Sequence, residues 1–331
     1  MSRRTVLVVA GAAGTLAVLA RRRRTAPPAP VDAPPPLVGR RRTVLADDGV
    51  ELAVTEYGPL QAAATFVLAH GYVQSSALWS GQVRDLVEAR PDLRVVTYDH
   101  RGHGASGRTT PQSSTFEQLG RDLERVIDET APTGPVLVGG HSMGGMTIMA
   151  LAEHAPGLFG DRIVGAAFVA TSSGGLDAVT WGLPAPLAAL ARRALPRLNA
   201  RAVRAEERGE ARRMSPAESR LIFPRGTDPA LVAAALDVQR ATRADTVAWF
   251  LPAFSTHDRL AVLKALEDLP AVVVVGDRDL LCPLPHSQAL AGALRGAELV
   301  VYPGVGHMVQ MQRRPEVSAQ LVRLVDRALA R

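Results

Sequence analysis

From Arg42 onward, short apolar runs alternate with amphipathic stretches. Residues 43–45 and 51–57 flank Asp48-Gly49 and predict a leading β-hairpin. Runs at 65–69, 94–98, 136–139, 165–170, 271–275 and 298–302 are short and mostly apolar, and most are bounded by Gly, Asp or Pro. That is the pattern of strands buried on both faces of a parallel sheet. Helical patterns fall between them, at 81–89, 116–129, 143–154, 285–294 and 315–330. The alternation predicts an α/β fold, a doubly wound and mostly parallel sheet with helices on both faces. No internal repeat is visible. One interval breaks the rhythm: from 170 to 271 no strand pattern occurs, and the segment is rich in Ala, Arg and Leu. A structureless loop of that length does not suit a compact domain. Residues 175–262 are therefore expected to form a helical insertion, a lid within one domain spanning 41–331.

The N-terminus follows different rules. Residues 5–20 carry no charge, with Arg3-Arg4 before them and Arg21, Arg22, Arg23 and Arg24 after. As a helix they would reach roughly 24 Å, a little short of the ~30 Å hydrocarbon core. Residues 1–24 thus read as a membrane anchor or a signal segment, the paired arginines loosely resembling a twin-arginine signal. Four arginines directly after the apolar run suit a retained anchor better than a cleaved signal. The expectation is membrane association through this segment, with secretion after cleavage as the alternative. The larger arginine cluster favours keeping the following domain cytoplasmic, and the N-terminal pair opposes it. Residues 25–40 are Pro-rich and read as an extended linker.

Charge changes the picture only by its location. The chain is formally +6. Residues 1–42 hold nine arginines and one acid, Asp32, so that segment carries +8 and the rest −2. The part that folds is nearly neutral, which argues against a nucleic-acid partner. Cys282 is the sole cysteine, so no internal disulfide can form.

The sharpest chemical signal is Gly140-His141-Ser142-Met143-Gly144, between a predicted strand and a predicted helix. A serine on such a turn has a strained backbone and an exposed hydroxyl, and its glycines allow neighbouring chains to approach. The turn also opens a helix, whose N-terminus favours developing negative charge. A serine hydroxyl is a weak nucleophile and needs a base. His307 follows the last predicted strand, on the edge of the sheet that carries the serine turn. The base needs an acid to fix its tautomer. Asp277 and Asp279 both follow run 271–275. Asp279 is preferred because it lies further past the strand end, and Asp277 better suits a turn-capping role. Backbone N–H groups of Met143 and of Tyr72, after run 65–69, are the candidate oxyanion donors.

Together, His70-Gly71, Asp99-His-Arg-Gly-His-Gly104, Gly140-His-Ser-Met-Gly-Gly145, Gly276-Asp-Arg-Asp279 and Gly306-His307 resemble the α/β-hydrolase superfamily, in its lidded serine esterase and lysophospholipase-like branch. The resemblance covers about residues 42–331. It implies Ser142, Asp279 and His307 as nucleophile, acid and base, in the chain order given for that fold. It also implies Tyr72 and Met143 as oxyanion donors. Asp99–Gly104 is a structural turn in that family, which leaves His100 and His103 without a catalytic role. Ser142 argues against the family's epoxide hydrolases and dehalogenases, which use aspartate at this turn.

The insertion carries Trp181, Phe223, Trp249, Phe250 and Phe254, five of the chain's fourteen aromatic residues. Trp181, Trp249 and Phe250 are the candidate pocket residues, with simple packing as the competing explanation. Arg193, Arg197, Arg201, Arg204, Arg208 and Arg212 recur at helical spacing, with Pro196 expected to interrupt the start of that helix. Such a stripe is more often a solvated face than a membrane contact. The reading is a serine hydrolase for carboxylic esters of lipid-like or other apolar acyl substrates, acting through an acyl-enzyme with no metal or cofactor. The alternatives are a proline-iminopeptidase-like peptidase, a cofactor-free haloperoxidase-like enzyme and a non-catalytic ligand-binding receptor. The partner expected is a small-molecule ester. The sequence does not specify an oligomeric state.

Overall fold

A computed structural model of the chain describes residues 37–210, 216–239 and 241–330. The expected anchor at 1–24, and the linker up to residue 36, lie outside the described residues. Among the described residues no helix is long and apolar enough to cross a membrane. Arg40, the last residue of the expected linker, already opens the first strand.

In chain order the elements begin with β1 (Arg40–Leu45), β2 (Glu51–Tyr57), β3 (Ala64–Ala69), α1 (Ser80–Ala89) and β4 (Leu93–Tyr98). Then come α2 (Phe116–Thr130), β5 (Val136–His141), α3 (Met143–His154) and β6 (Ile163–Val169). The insertion supplies α4 (Ala185–Glu207), α5 (Pro216–Ile222), α6 (Pro229–Gln239) and α7 (Ala244–Thr256). The chain closes with β7 (Ala271–Gly276), α8 (Leu284–Gly292), β8 (Ala297–Tyr302), α9 (Val309–Gln312) and α10 (Arg314–Leu329).

Among the described residues the strands form one eight-stranded sheet in the order β1-β2-β4-β3-β5-β6-β7-β8. The β1–β2 and β2–β4 pairs are antiparallel, and all others are parallel. From β3 the chain crosses to β4 on one side, then returns to β5 on the other. The crevice at the carboxyl ends of β3 and β5 is therefore the topological switch point, where open α/β sheets bind ligands.

The central strands are buried on both faces, which is why they read as continuous apolar runs. Val67, Val96 and Val138 pack toward Leu123, Ile148 and Leu290 on one face. Phe66, Leu68, Val95 and Leu137 alternate with them and meet Leu86, Leu321 and Leu324 on the other. The period of two in these strands assigns each residue to one layer.

Between β6 and β7 the described residues contain helices and no strand. One expectation is corrected. Pro196 does not interrupt the arginine-bearing helix, because α4 runs unbroken from Ala185 to Glu207 with Pro196 inside it. A proline removes one backbone hydrogen bond and tends to kink a helix. Here packing against α7 and the burial of Ala188 hold the flanking turns. Arg193, Arg197, Arg201 and Arg204 are exposed along α4, Arg208 caps its end, and Arg212 lies outside the described residues.

A buried ion pair ties the outer hairpin to this frame. The Arg101 guanidinium donates to both Asp122 oxygens at 2.6 and 2.7 Å, and to Asp48 at 2.6 and 3.1 Å. Arg101 and Asp122 have no exposed side-chain surface. Removing Asp122 leaves the fully buried guanidinium with only the partly exposed Asp48 as counter-charge. Asp122→Ala is predicted to lose about 3–5 kcal/mol of stability, read from urea unfolding. Exposed pairs such as Arg125–Glu129 should cost under about 1 kcal/mol when broken.

Candidate active site

Ser142 is the single residue between β5 and α3, at φ 50° and ψ −116°. A non-glycine residue there is strained, and strain persists only where the surroundings enforce it. They do so on both sides of the residue. The Ser142 N–H donates to the Val169 carbonyl at the end of β6, at 2.9 Å. The Ser142 carbonyl accepts from Thr171 Oγ1 at 2.7 Å and from the Gly145 N–H at 2.9 Å. The two glycines of the turn are there for close approach. A side chain on Gly140 would collide with the Gly144–Gly145 backbone, and one on Gly144 with the Ala69 carbonyl at the end of β3. The sharp turn thus packs against strands on both sides of β5.

Asp279 and His307 reach the same sheet edge from the loops after β7 and β8. The Asp279 carboxylate is buried, and its Oδ1 accepts the N–H groups of Leu281 and Cys282 at 2.8 and 2.9 Å. Its Oδ2 accepts from His307 Nδ1 at 2.8 Å. Asp277 is exposed and accepts from the Gly304 N–H, a bond that joins the two loops. The loop of His307 also meets the serine turn directly. Buried His141 Nε2 donates to the His307 carbonyl at 3.0 Å, and the two rings lie 4.8 Å apart. Burial and the neighbouring His307 push the His141 imidazole well below its ordinary pKa, so it stays neutral. On the opposite side the His307 N–H donates to the carbonyl of Ile222, the last residue of α5.

Tyr72 and Met143 flank the turn. Met143 is the first residue of α3, where helix N–H groups lack intrahelical acceptors. The Tyr72 hydroxyl donates to the Val247 carbonyl on α7, and its ring meets Phe254 edge-on at 5.0 Å. The tyrosine thereby ties the loop after β3 to the insertion.

Three buried histidines brace that loop in one consistent set of tautomers. His70 Nδ1–H donates to the Gly71 carbonyl at 2.7 Å, and its Nε2 accepts from the His100 N–H at 2.9 Å. His100 Nε2–H donates to the His70 carbonyl at 3.0 Å. His103 Nδ1–H donates to the Arg101 carbonyl at 3.0 Å, and its Nε2 accepts from the Val73 N–H at 3.3 Å. Val73 itself has φ 60°. The turn from Asp99 to Gly104 therefore does more than reverse the chain. Through His103 it holds the strained residue after Tyr72. Sequence reasoning missed this, along with the roles of His141 and Thr171. Only His141 carried a signal, as the residue before Ser142 in the pentapeptide.

Of the three expected pocket residues, Phe250 is buried in a cluster with Phe116, Met143, Met146 and Cys282. Trp181 and Trp249 are half-buried and stand outside that cluster; Trp181 has the Arg192 guanidinium over its ring at 5.2 Å. Burial and the nearby Asp279 push the Cys282 thiol upward, which makes it a poor nucleophile. Among the described residues no group of three or more His, Cys, Asp or Glu is arranged to hold a metal ion.

Residues 64–313 match the alpha/beta hydrolase fold family. The chain belongs to that family. A monoacylglycerol lipase of Mycolicibacterium smegmatis is 30% identical over 251 residues, covering 73% of this chain and 80% of the lipase. A probable oxidoreductase, EphD, of Mycobacterium tuberculosis is 38% identical over 108 residues. That match spans 32% of this chain and only 18% of the relative's length. Among solved structures, the enol-lactonase from Burkholderia xenovorans superposes with a TM-score of 0.64 at 26% identity, over 86% of this chain and 100% of that one.

The histidine network makes stability depend on pH. Burial, reinforced by His70, holds the His103 imidazole down to about 3; outside that network, burial holds His257, whose Nε2 donates to the Ser172 carbonyl at 2.9 Å, down to about 4. An unfolded histidine titrates near 6.5. Between these values the unfolded chain binds protons that the folded chain refuses. The contribution is complete above pH ~6.5 and is lost as pH falls toward 4 and 3. The urea midpoint should therefore drop steadily from pH 7 to pH 4.5. His103→Gln should flatten that slope, and a slope unchanged in this variant would contradict the assignment.

Proposed function

We propose that the chain is a serine hydrolase that cleaves carboxylic esters through an acyl-enzyme. The observation that carries this reading is the junction at the switch point: a strained Ser142 turn hydrogen-bonded through His141 to a buried His307–Asp279 pair. In the proposed reaction Ser142 Oγ attacks the ester carbonyl while His307 Nε2 takes its proton. Asp279 accepts from Nδ1–H and stabilises the resulting imidazolium. The tetrahedral oxyanion accepts from the Met143 and Tyr72 N–H groups. Collapse expels the alkoxide, which takes the proton from His307 and leaves as the alcohol. A water then gives its proton to His307 as it attacks the acyl-enzyme, and collapse expels Ser142 Oγ, which takes that proton back from His307 as the carboxylic acid leaves.

An apolar acyl group suits the surroundings. Phe116, Met143, Met146 and Phe250 form an apolar cluster around one proposed oxyanion donor, with Tyr72 and Phe254 packed against it. The similarity to a monoacylglycerol lipase and an enol-lactonase supports ester or lactone carbonyls as the class of substrate.

Hydrolysis of p-nitrophenyl esters from acetate to decanoate tests both parts. Activity should be measurable and should favour chains longer than acetate. Ser142→Ala should lower kcat by about 10⁴- to 10⁶-fold, and Asp279→Asn by about 10⁴-fold, with folding unchanged by circular dichroism. Wild-type rates in Ser142→Ala would overturn the nucleophile assignment.

A further inference from the structure

The insertion turns outward a helix face that the candidate active site does not use. α4 packs against α7, and Ala188 is buried on its inner side. α7 in turn carries buried Phe250 and the Val247 carbonyl that accepts from Tyr72, so α4 is the outer layer of the insertion. Leu190, Arg193, Arg197, Arg201 and Arg204 follow one another along α4 at spacings of three or four, and all are exposed. They therefore share one face. Leu187 and Leu198 stand at its margin. Leu187, Leu190 and Leu198 are 43%, 63% and 51% exposed.

A basic stripe is by default a solvated face. Two observations set this one apart. The first is apolar: among the described residues no other α-helix exposes a large aliphatic side chain. The second is electrostatic. No acid among the described residues pairs with Arg193, Arg197, Arg201 or Arg204, whereas Arg208 pairs with Glu210 at 2.9 Å and Arg243 with Asp245 at 3.2 Å. The only acids of α4, Glu206 and Glu207, lie in its last turn, and Glu206 accepts from the Ala244 N–H at 2.6 Å. Four uncompensated cations beside three exposed leucines fit a partner that is anionic and apolar at once. A nucleic acid meets the charge and leaves the leucines in water. An anionic bilayer meets both. The leucines enter its acyl boundary, while the arginines lay their apolar stems along it and reach the phosphates.

We propose that α4 docks on an anionic lipid surface through the exposed leucines and arginines of this face. The docking does not rest on the catalytic reading, and its test requires no turnover. An environment-sensitive nitrobenzoxadiazole label on Leu190→Cys in the full chain reports on α4 itself, whatever residues 1–24 do, because Cys282 is buried and does not compete for the label. With vesicles of phosphatidylcholine containing about one third phosphatidylglycerol, the emission should move to shorter wavelength and rise about twofold or more. Pure phosphatidylcholine should leave it unchanged, and about 0.5 M salt should reverse most of the shift. Replacing Arg193, Arg197, Arg201 and Arg204 together with Glu should abolish the shift, with helicity unchanged by circular dichroism. The same label on Leu60→Cys, an exposed position between β2 and β3, should not respond. No shift with the anionic vesicles, an equal shift with pure phosphatidylcholine, or an unchanged shift in the four-Glu variant would overturn the proposal. So would an equal shift at position 60, which would assign membrane contact to the chain as a whole, or an equal shift with duplex DNA, which would make the face a nucleic-acid site.

Discussion

The candidate site depends on one backbone constraint, the left-handed turn at Ser142. A residue held at φ 50° must be forced there. The force comes from the sheet: β6 captures the Ser142 N–H through Val169, Thr171 captures its carbonyl, and β3 lies so close that only glycine fits at position 144. Those contacts exist because β5 sits between β3 and β6 at the centre of the sheet. The eight-stranded order is thus what makes the turn possible. The same order brings the loops after β3, β7 and β8 to one edge, where Tyr72, Asp279 and His307 reside.

Around that turn the protein separates two kinds of histidine. His70, His100, His103 and His141 are buried, and each uses its ring nitrogens to hold backbone. Desolvation keeps them neutral, so they act as fixed dipoles in the frame. His307 differs in its partner, the buried Asp279 carboxylate, which accepts from its Nδ1 at 2.8 Å. A general base must accept a proton and give it back, and a neighbouring carboxylate makes that possible within a buried site. The division follows from which side chain touches Asp279.

Much of this was legible in the sequence for identifiable reasons. Strands such as 136–139 are apolar on both faces because both faces are buried, so they stand out without alternation. Asp279 could be preferred to Asp277 by its position along the loop, and the geometry gives each a distinct partner: Asp279 meets His307, and Asp277 meets the Gly304 N–H. The support for the site was less visible. His103 matters through a single bond to the Val73 N–H, thirty positions away, and no local pattern encodes that register. Thr171 becomes relevant only once β6 lies beside β5. Pro196 read as a break because local propensity disfavours it, yet tertiary packing of α4 against α7 outweighed one missing hydrogen bond. The three aromatic candidates could not be separated by composition, and the fold gathers Phe250 near Met143 and leaves Trp181 beside Arg192.

The central claim is that the constrained turn makes Ser142 a nucleophile served by His307. Its most direct test is the reaction of the intact chain with a fluorophosphonate, followed by peptide mass spectrometry to locate the adduct. The account predicts one adduct per chain, on Ser142, formed slowly in His307→Ala and not at all in Ser142→Ala. Equal modification of Ser142→Ala, or an adduct on another serine such as Ser172, would contradict it.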